Sequence, residues 1–447
     1  MITIHVPFIS NKFTYAVNYV FQERLGIEYD IKIRYNSGEE LSIIIEYNGE
    51  EVSFPLFFWD SESGDLKVDK ILSLDKVDIL LKGKKVPVIN SSNRRVNGVT
   101  DVDVFGFIFF MLSRIEELNE SKQLDDHQRF PAKESFAFKH GFLEFPVVDW
   151  YVELVAEELK LIGVNKKNKD NFTTVVSCDV DYPTEYYFQS YKSFFRKFIT
   201  SLVKERKFSR SIGLIKRFIF SSLNINQNDI FTENVRYIMD VNERNDRKVI
   251  FYFIPYNTSK LDSNLSIESK LVTKLVEEIR DRGHLIGIHP SYDSTTDKAI
   301  FELNVNKFRD SAAYFEGEEL HSRTHFLKWD AFNTPAWLES SNINVDSSLG
   351  YADLSGFRCG TCHPFKLYDL KNDKSTNISE FPLVCMDASI LSTKYEGLNN
   401  FNRALERVSF LKEQCKQVNG VFTLLWHNSS FEEKFEKKLY ENVTKVE

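Results

Sequence analysis

No apolar run in this chain approaches the roughly 20 residues that a bilayer-spanning helix requires, so no transmembrane segment is expected. Cysteine is scarce. Five are scattered through 447 residues, which excludes the disulfide framework that staples small secreted domains. Positive charge is not in excess either: 57 Lys and Arg stand against 65 Asp and Glu, for a formal net charge of −8. That balance gives no electrostatic reason to expect nucleic-acid binding. The opening Met1-Ile-Thr-Ile-His-Val-Pro-Phe8 has neither the basic start nor the apolar stretch of a secretory signal. These absences together lead to the expectation of a cytoplasmic protein with reduced thiols.

What the chain does have is the composition of a globular protein, 42% hydrophobic and 27% charged. Its length favours two domains. Residues 1–165 mix strand-like runs (Ile43-Ile-Ile45, Val77-Asp-Ile-Leu-Leu81) with turn signals such as Asn48-Gly49. A helix-period apolar segment follows over 104–118. A small α+β domain is expected here.

From about residue 170 apolar runs of strand length alternate with helical segments, the pattern of βα units on a parallel sheet. Five runs are informative: 175–178 leads into Asp179-Val-Asp181, 249–254 into Pro255, 285–288 into His289, 343–345 into Asp346 and 421–426 into His427. Functional groups of such sheets collect at the carboxyl ends of the strands. Four of the five runs close in Asp or His, which is hard to obtain by chance. Asp179 and Asp181, two apart on an extended chain, face the same side. One could hold a cation while the other reaches its water; a paired-carboxylate calcium site needs more oxygen ligands than this loop offers.

Ser177-Cys-Asp-Val-Asp181, Gly283-His-Leu-Ile-Gly-Ile-His-Pro-Ser-Tyr292, Gly356-Phe-Arg-Cys-Gly-Thr-Cys-His-Pro-Phe365 and Leu425-Trp-His-Asn428 resemble, in order, the motifs of the polysaccharide deacetylase family, also called carbohydrate esterase family four. The resemblance covers roughly residues 170–430. Phe109-Phe-Met-Leu-Ser-Arg-Ile-Glu-Glu117 and Asp126-His-Gln-Arg-Phe130 resemble the domain that precedes it in a group of bacterial homologues, one without an assigned activity.

The resemblance implies an irregular (β/α) barrel over 170–435 behind a smaller α/β N-terminal domain over 1–165. It implies a hydrolase that removes an N-acetyl group from an amino sugar of a bacterial surface glycan or its precursor. One divalent metal ion would be the cofactor: zinc, or a harder ion such as cobalt, nickel or manganese. Carried over, Asp179 is the general base, Asp181 and His289 are metal ligands, and His427 is the general acid. Arg358 holds Asp179 ionised, and Asp387 orients His427. Where the family usually places a second histidine, this chain has Asp293, expected to be the third ligand; otherwise a group such as water completes the shell. Tyr292, Trp426, Arg323 and His325 are expected to line the substrate crevice, the last two from one face of a strand. The alternative is a degenerate barrel that binds glycan without turnover.

Two further features stand apart. Residues 191–220 carry nine Lys or Arg (192, 196, 197, 204, 206, 207, 210, 216, 217) against Glu205, interleaved with Phe and Ile. They form either a helical insertion (190–222) with a solvated basic face or a peripheral contact with anionic membrane. Cys359-Gly-Thr-Cys-His363 matches a haem-attachment pattern, yet it overlaps the Gly-Phe-Arg motif and is expected to contain buried free thiols.

Overall fold

The structure is a computed structural model and describes residues 1–34, 41–74, 76–81, 84–89, 102–119, 122–185, 198, 199, 215, 229–263, 265–431 and 433–445. The basic segment 191–220 lies outside these, apart from three residues. Two compact units emerge: Met1–Val175 with Glu319–Leu425, and Val176–Glu318 with Trp426–Glu447.

The first unit begins with β1 (Ile2–Val6), β2 (Tyr29–Ile33), β3 (Ser42–Tyr47) and β4 (Glu50–Pro55), in the order β2-β1-β3-β4. Asn48 and Gly49 join β3 to β4 with φ of 52° and 86°, the left-handed pair that a two-residue hairpin turn needs. A second hairpin pairs β5 (Lys76–Leu81) with β6 (Lys84–Ile89). The expected helix forms over Val104–Ser113, and every residue in it is buried. It stops earlier than its periodicity suggests, because Arg114 turns left-handed (φ 55°) and a 3-10 turn follows over Ile115–Leu118. Asp103 caps the helix start by accepting from Gly106 N at 2.7 Å.

The second unit contains β7 (Thr173–Val180, from Val176 onward), β8 (Val249–Phe253) and β9 (Leu285–Ile288), mutually parallel. Helices Ile230–Glu243 and Lys270–Asp281 connect them, which is the alternation that the sequence pattern foretold. His284 fixes the start of β8: its Nδ1 accepts from Val249 N at 3.1 Å while Nε2 meets Glu243 at 3.2 Å. It is a structural residue, as expected from its place at the far end of β9 from His289.

The rest of the first unit holds β10 (His321–Ser322), β11 (Val345–Asp346), β12 (Phe365–Asp369), β13 (Lys374–Glu380), β14 (Cys385–Met386) and β15 (Val421–Leu425). β10, β11 and β13 are parallel, β12 runs antiparallel to β13, and β14 is parallel to β15. The architecture is mixed α/β with mainly parallel ladders beside a small N-terminal sheet. β12 and β14 are edge strands, so no closed barrel forms among the described residues.

Candidate metal-binding and hydrolytic site

Asp179 lies in the last turn of pleat of β7, and Asp181 follows one residue past its end. His289 stands just beyond β9, where its N–H extends the ladder by donating to Phe253 O at 2.8 Å. This placement brings two carboxylates to one imidazole nitrogen. His289 Nε2 is 3.3 Å from Asp181 Oδ1 and 3.6 Å from Asp179 Oδ2. His427 adds its Nε2 at 3.8 Å from Asp181 Oδ2. Asp179 and His289 are almost fully enclosed, whereas the side chains of Asp181 and His427 keep 20% and 17% of their exposure. The enclosed pair can therefore be held rigidly while the other two remain reachable.

Each loop carrying these residues is pinned by a buried polar side chain. Asp229, at the cap of helix Ile230–Glu243, accepts from Glu185 N and fixes the chain after Asp181. Asp262 takes the N–H groups of Ser259 and Tyr292, each at 2.9 Å, so one carboxylate ties the loop after β8 to the loop after His289. Asn304 grips Ser291 from the other side through its N–H at 3.2 Å and its hydroxyl at 3.0 Å. Asn428 donates to Tyr182 O at 2.9 Å, and its own carbonyl accepts from Asn234 Nδ2 at 2.8 Å. Burial, with the charges of Asp181 and Asp262, raises the Tyr182 hydroxyl pKa above its ordinary value. These clamping residues were not singled out in the sequence. Each is a lone Asp or Asn, in a loop or, for Asn304, in the helix Lys298–Arg309, and its partner is set only by folding.

The other expected residues fall differently. Asp293 is half-buried, its N–H donating to Thr258 Oγ1 at 3.2 Å. It belongs to no set of three ligand atoms within 4.8 Å among the described residues. Tyr292 lies half-buried in the same loop. Trp426 is a core side chain and not a crevice wall: it is 1% exposed, its Nε1 donates to Ser430 O at 3.0 Å, and its ring stacks on Phe431 at 5.8 Å.

Within the first unit, Arg358 gives its fork to Glu117 (3.0 and 2.7 Å) and its third nitrogen to Gly350 O (2.9 Å). The partner expected from the resemblance was Asp179; the carboxylate that holds Arg358 is Glu117. Arg323 is buried, with Nε and Nη2 on Ser347 O and Oγ at 2.9 and 2.8 Å. The strand expected through Arg323 and His325 is not formed. β10 ends at Ser322, and His325 sits in a 3-10 turn where Phe326 and Leu327 have φ of 63° and 53°. Asp387 is buried at the start of helix Asp387–Leu391, its Oδ1 accepting from Ala388 N at 2.8 Å.

The five cysteines are buried and form no disulfide. Cys362 and His363 form a second ligand-rich group with Asp149. Asp149 is already committed there: Oδ1 accepts from Arg24 and from Thr361 Oγ1 at 2.7 Å, and Oδ2 from Cys362 N at 2.9 Å. A cation would have to displace these donors beside a guanidinium, so this cluster reads as a structural network.

Comparison with known proteins adds two findings. The model of a family of unknown function, DUF7033, matches residues 2–163. A solved structure from Mycobacterium smegmatis, described as a "putative polysaccharide deacetylase", is similar at 14% identity and a TM-score of 0.40, over 63% of this chain and 85% of that one. No curated protein matches the chain. No helix among the described residues is long and apolar enough to cross a membrane.

Proposed function

We propose that the chain is a metal-dependent hydrolase that removes N-acetyl groups from amino sugars of a glycan or glycan precursor. The observation that carries this reading is the approach of two carboxylates, two residues apart, to one imidazole nitrogen: Asp181 at 3.3 Å and Asp179 at 3.6 Å from His289 Nε2. Two ligands each about 2.1 Å from a tetrahedral ion stand about 3.4 Å apart, so Asp181 and His289 fit a shared divalent ion. Both nitrogen and oxygen are offered, which suits zinc or a slightly harder transition metal. When bound, such an ion supplies Lewis acidity and a water of lowered pKa.

The chain's own residues supply the rest. Asp179, enclosed beside the ligands, accepts a proton from the attacking water. His427, on the open side, delivers a proton to the departing amine nitrogen, which is otherwise too poor a leaving group. The mainly parallel ladders, open at β12 and β14, are consistent with a deacetylase-like α/β fold.

The test measures metal content and acetate release together. Purified protein is expected to hold about one divalent ion per chain and to release acetate from N-acetylglucosamine oligomers. Asp181→Asn and His289→Ala should lose the ion. Asp179→Asn should retain it and lose turnover by roughly 10²-fold or more. A second reading, glycan binding without turnover, is favoured by one observation: Asp293 does not join the ligand set. Metal-free protein that still binds the oligomers would establish that reading and defeat the first.

A further inference from the structure

Away from this site, the first unit contains a cavity of about 250 Å³ lined by Leu72, Asn119, Lys122, Glu134, Phe136, Lys139 and His140. Its residues all lie within the segment that matches the family of unknown function. We propose that this cavity is a binding site for a small organic phosphate, of about the size of a phosphorylated monosaccharide.

The argument begins with the charges. Lys122 Nζ donates to Glu134 O at 2.6 Å, and Lys139 Nζ meets Glu134 Oε2 at 3.0 Å. Lys122 is thus held at the Glu134 backbone and Lys139 at its carboxylate, and the two ammonium groups come close enough to act on one another. Burial and the neighbouring Lys139 charge lower the Lys122 pKa, against the pull of Glu116 and Glu134. Placing two like charges at one cavity is unfavourable unless an anion shares them. A single carboxylate side chain on the wall leaves that requirement partly met.

Donor type narrows the ligand. Planar carboxylates are usually matched by the arginine fork, whereas lysine serves phosphate as a point charge. The charged wall has two lysines and no arginine, with Asn119 and His140 adding further polar groups. Leu72 and Phe136 offer apolar surface to the organic part, which inorganic phosphate would leave uncovered. The ring of His140 lies 4.0 Å from that of Phe136, so the two walls are continuous. A lipid headgroup presents the same phosphate, and comparing soluble probes with vesicles separates the two sources.

Calorimetry on the full chain tests this with inorganic phosphate and glucose 1-phosphate as probes, beside sedimentation with phosphatidic acid vesicles. Glucose 1-phosphate is expected to bind more tightly than inorganic phosphate. Lys139→Met, at a half-exposed position where folding is not at stake, should weaken it by about tenfold, the loss of one charge-assisted hydrogen bond. Glu134→Gln should tighten binding by removing the competing acid. Lys133→Met, a neighbouring exposed charge outside the cavity, should leave affinity unchanged. Equal losses in the Lys133 and Lys139 variants would mean general charge attraction and overturn the proposal. So would binding to vesicles alone, or no binding of either soluble probe.

Discussion

Arg358 is 2% exposed, and both oxygens of Glu117 hold its guanidinium. Arg114 donates to the same Glu117 carboxylate at 2.9 Å, while Glu116 balances Arg114. Two buried cations and two buried anions thus neutralise each other, and removing one acid leaves a charge uncompensated. Glu117→Gln is expected to cost about 3–5 kcal/mol of stability, read by urea denaturation. Burial works against ionised Glu117, yet Arg358 and Arg114 hold its pKa below the usual value. A lowered folded-state pKa means its contribution is present above the unfolded pKa and is lost as pH falls through the folded one. The variant's deficit should therefore shrink in acid. A deficit that stays constant from neutral pH down to pH 3 would show that the pair is not the cause. The sequence made Arg358 conspicuous but not its partner, because Glu117 lies 241 positions away and no local pattern spans that distance.

Secondary structure was more legible. Each of the five apolar runs contributes to a strand, although only Val345 of 343–345 does so, and Asn48-Gly49 is the hairpin turn it promised, because periodicity and turn chemistry act over a few residues. What local patterning could not reveal is which strands become neighbours. β11 and β13 pair in parallel with Asp346 opposite Glu380, so two fully buried carboxyls meet across the ladder. Burial raises the pKa of both, and the Asp346 charge pushes Glu380 well above its usual value, while the hydrogen bond with Glu380 holds Asp346 back. Asp346 is supplied with donors, accepting from Ser348 N at 2.9 Å and Ser348 Oγ at 3.1 Å. Glu380 accepts from Leu349 N on one oxygen, which leaves it the better proton holder. A raised folded-state pKa gives a contribution present in full below the unfolded pKa and lost as pH climbs through the folded one. Glu380→Gln keeps the acceptor and supplies a permanent donor to Asp346. It should flatten the alkaline side of the Tm–pH profile and raise Tm above neutral pH. Asp346→Asn should not, since it trades away an acceptor. Identical alkaline slopes for wild type and Glu380→Gln would refute the shared proton.

At the scale of the whole chain, composition and length pointed to two domains divided near residue 165, and a family model ends at 163. Packing draws a different line, joining Met1–Val175 to Glu319–Leu425 as one compact unit. The joins are specific and buried. Tyr15 donates to Lys366 O at 2.6 Å, and its ring meets that of Tyr368 at 5.0 Å. Asp149 holds Thr361 and Cys362, and Phe357 N donates to Leu143 O at 2.8 Å. Gly356, with φ of 148°, passes so near Leu143 that a Cβ there would meet Leu143 O at 2.7 Å. A fragment beginning at residue 170 would lose every one of these partners. It would bare Tyr368, strand the Arg358 cation and expose the Phe365–Asp369 strand that the helix Val104–Ser113 covers. Unpaired buried charge and a large fresh apolar face each exceed what a marginally stable fold tolerates. The fragment 170–447 is therefore expected to be insoluble, or to bind hydrophobic dye without a cooperative melting transition. Co-expression with residues 1–169 should restore solubility by supplying the missing partners in trans. A monodisperse fragment with a sharp calorimetric transition would show instead that the N-terminal segment is an independent domain, and the buried bonds to it dispensable.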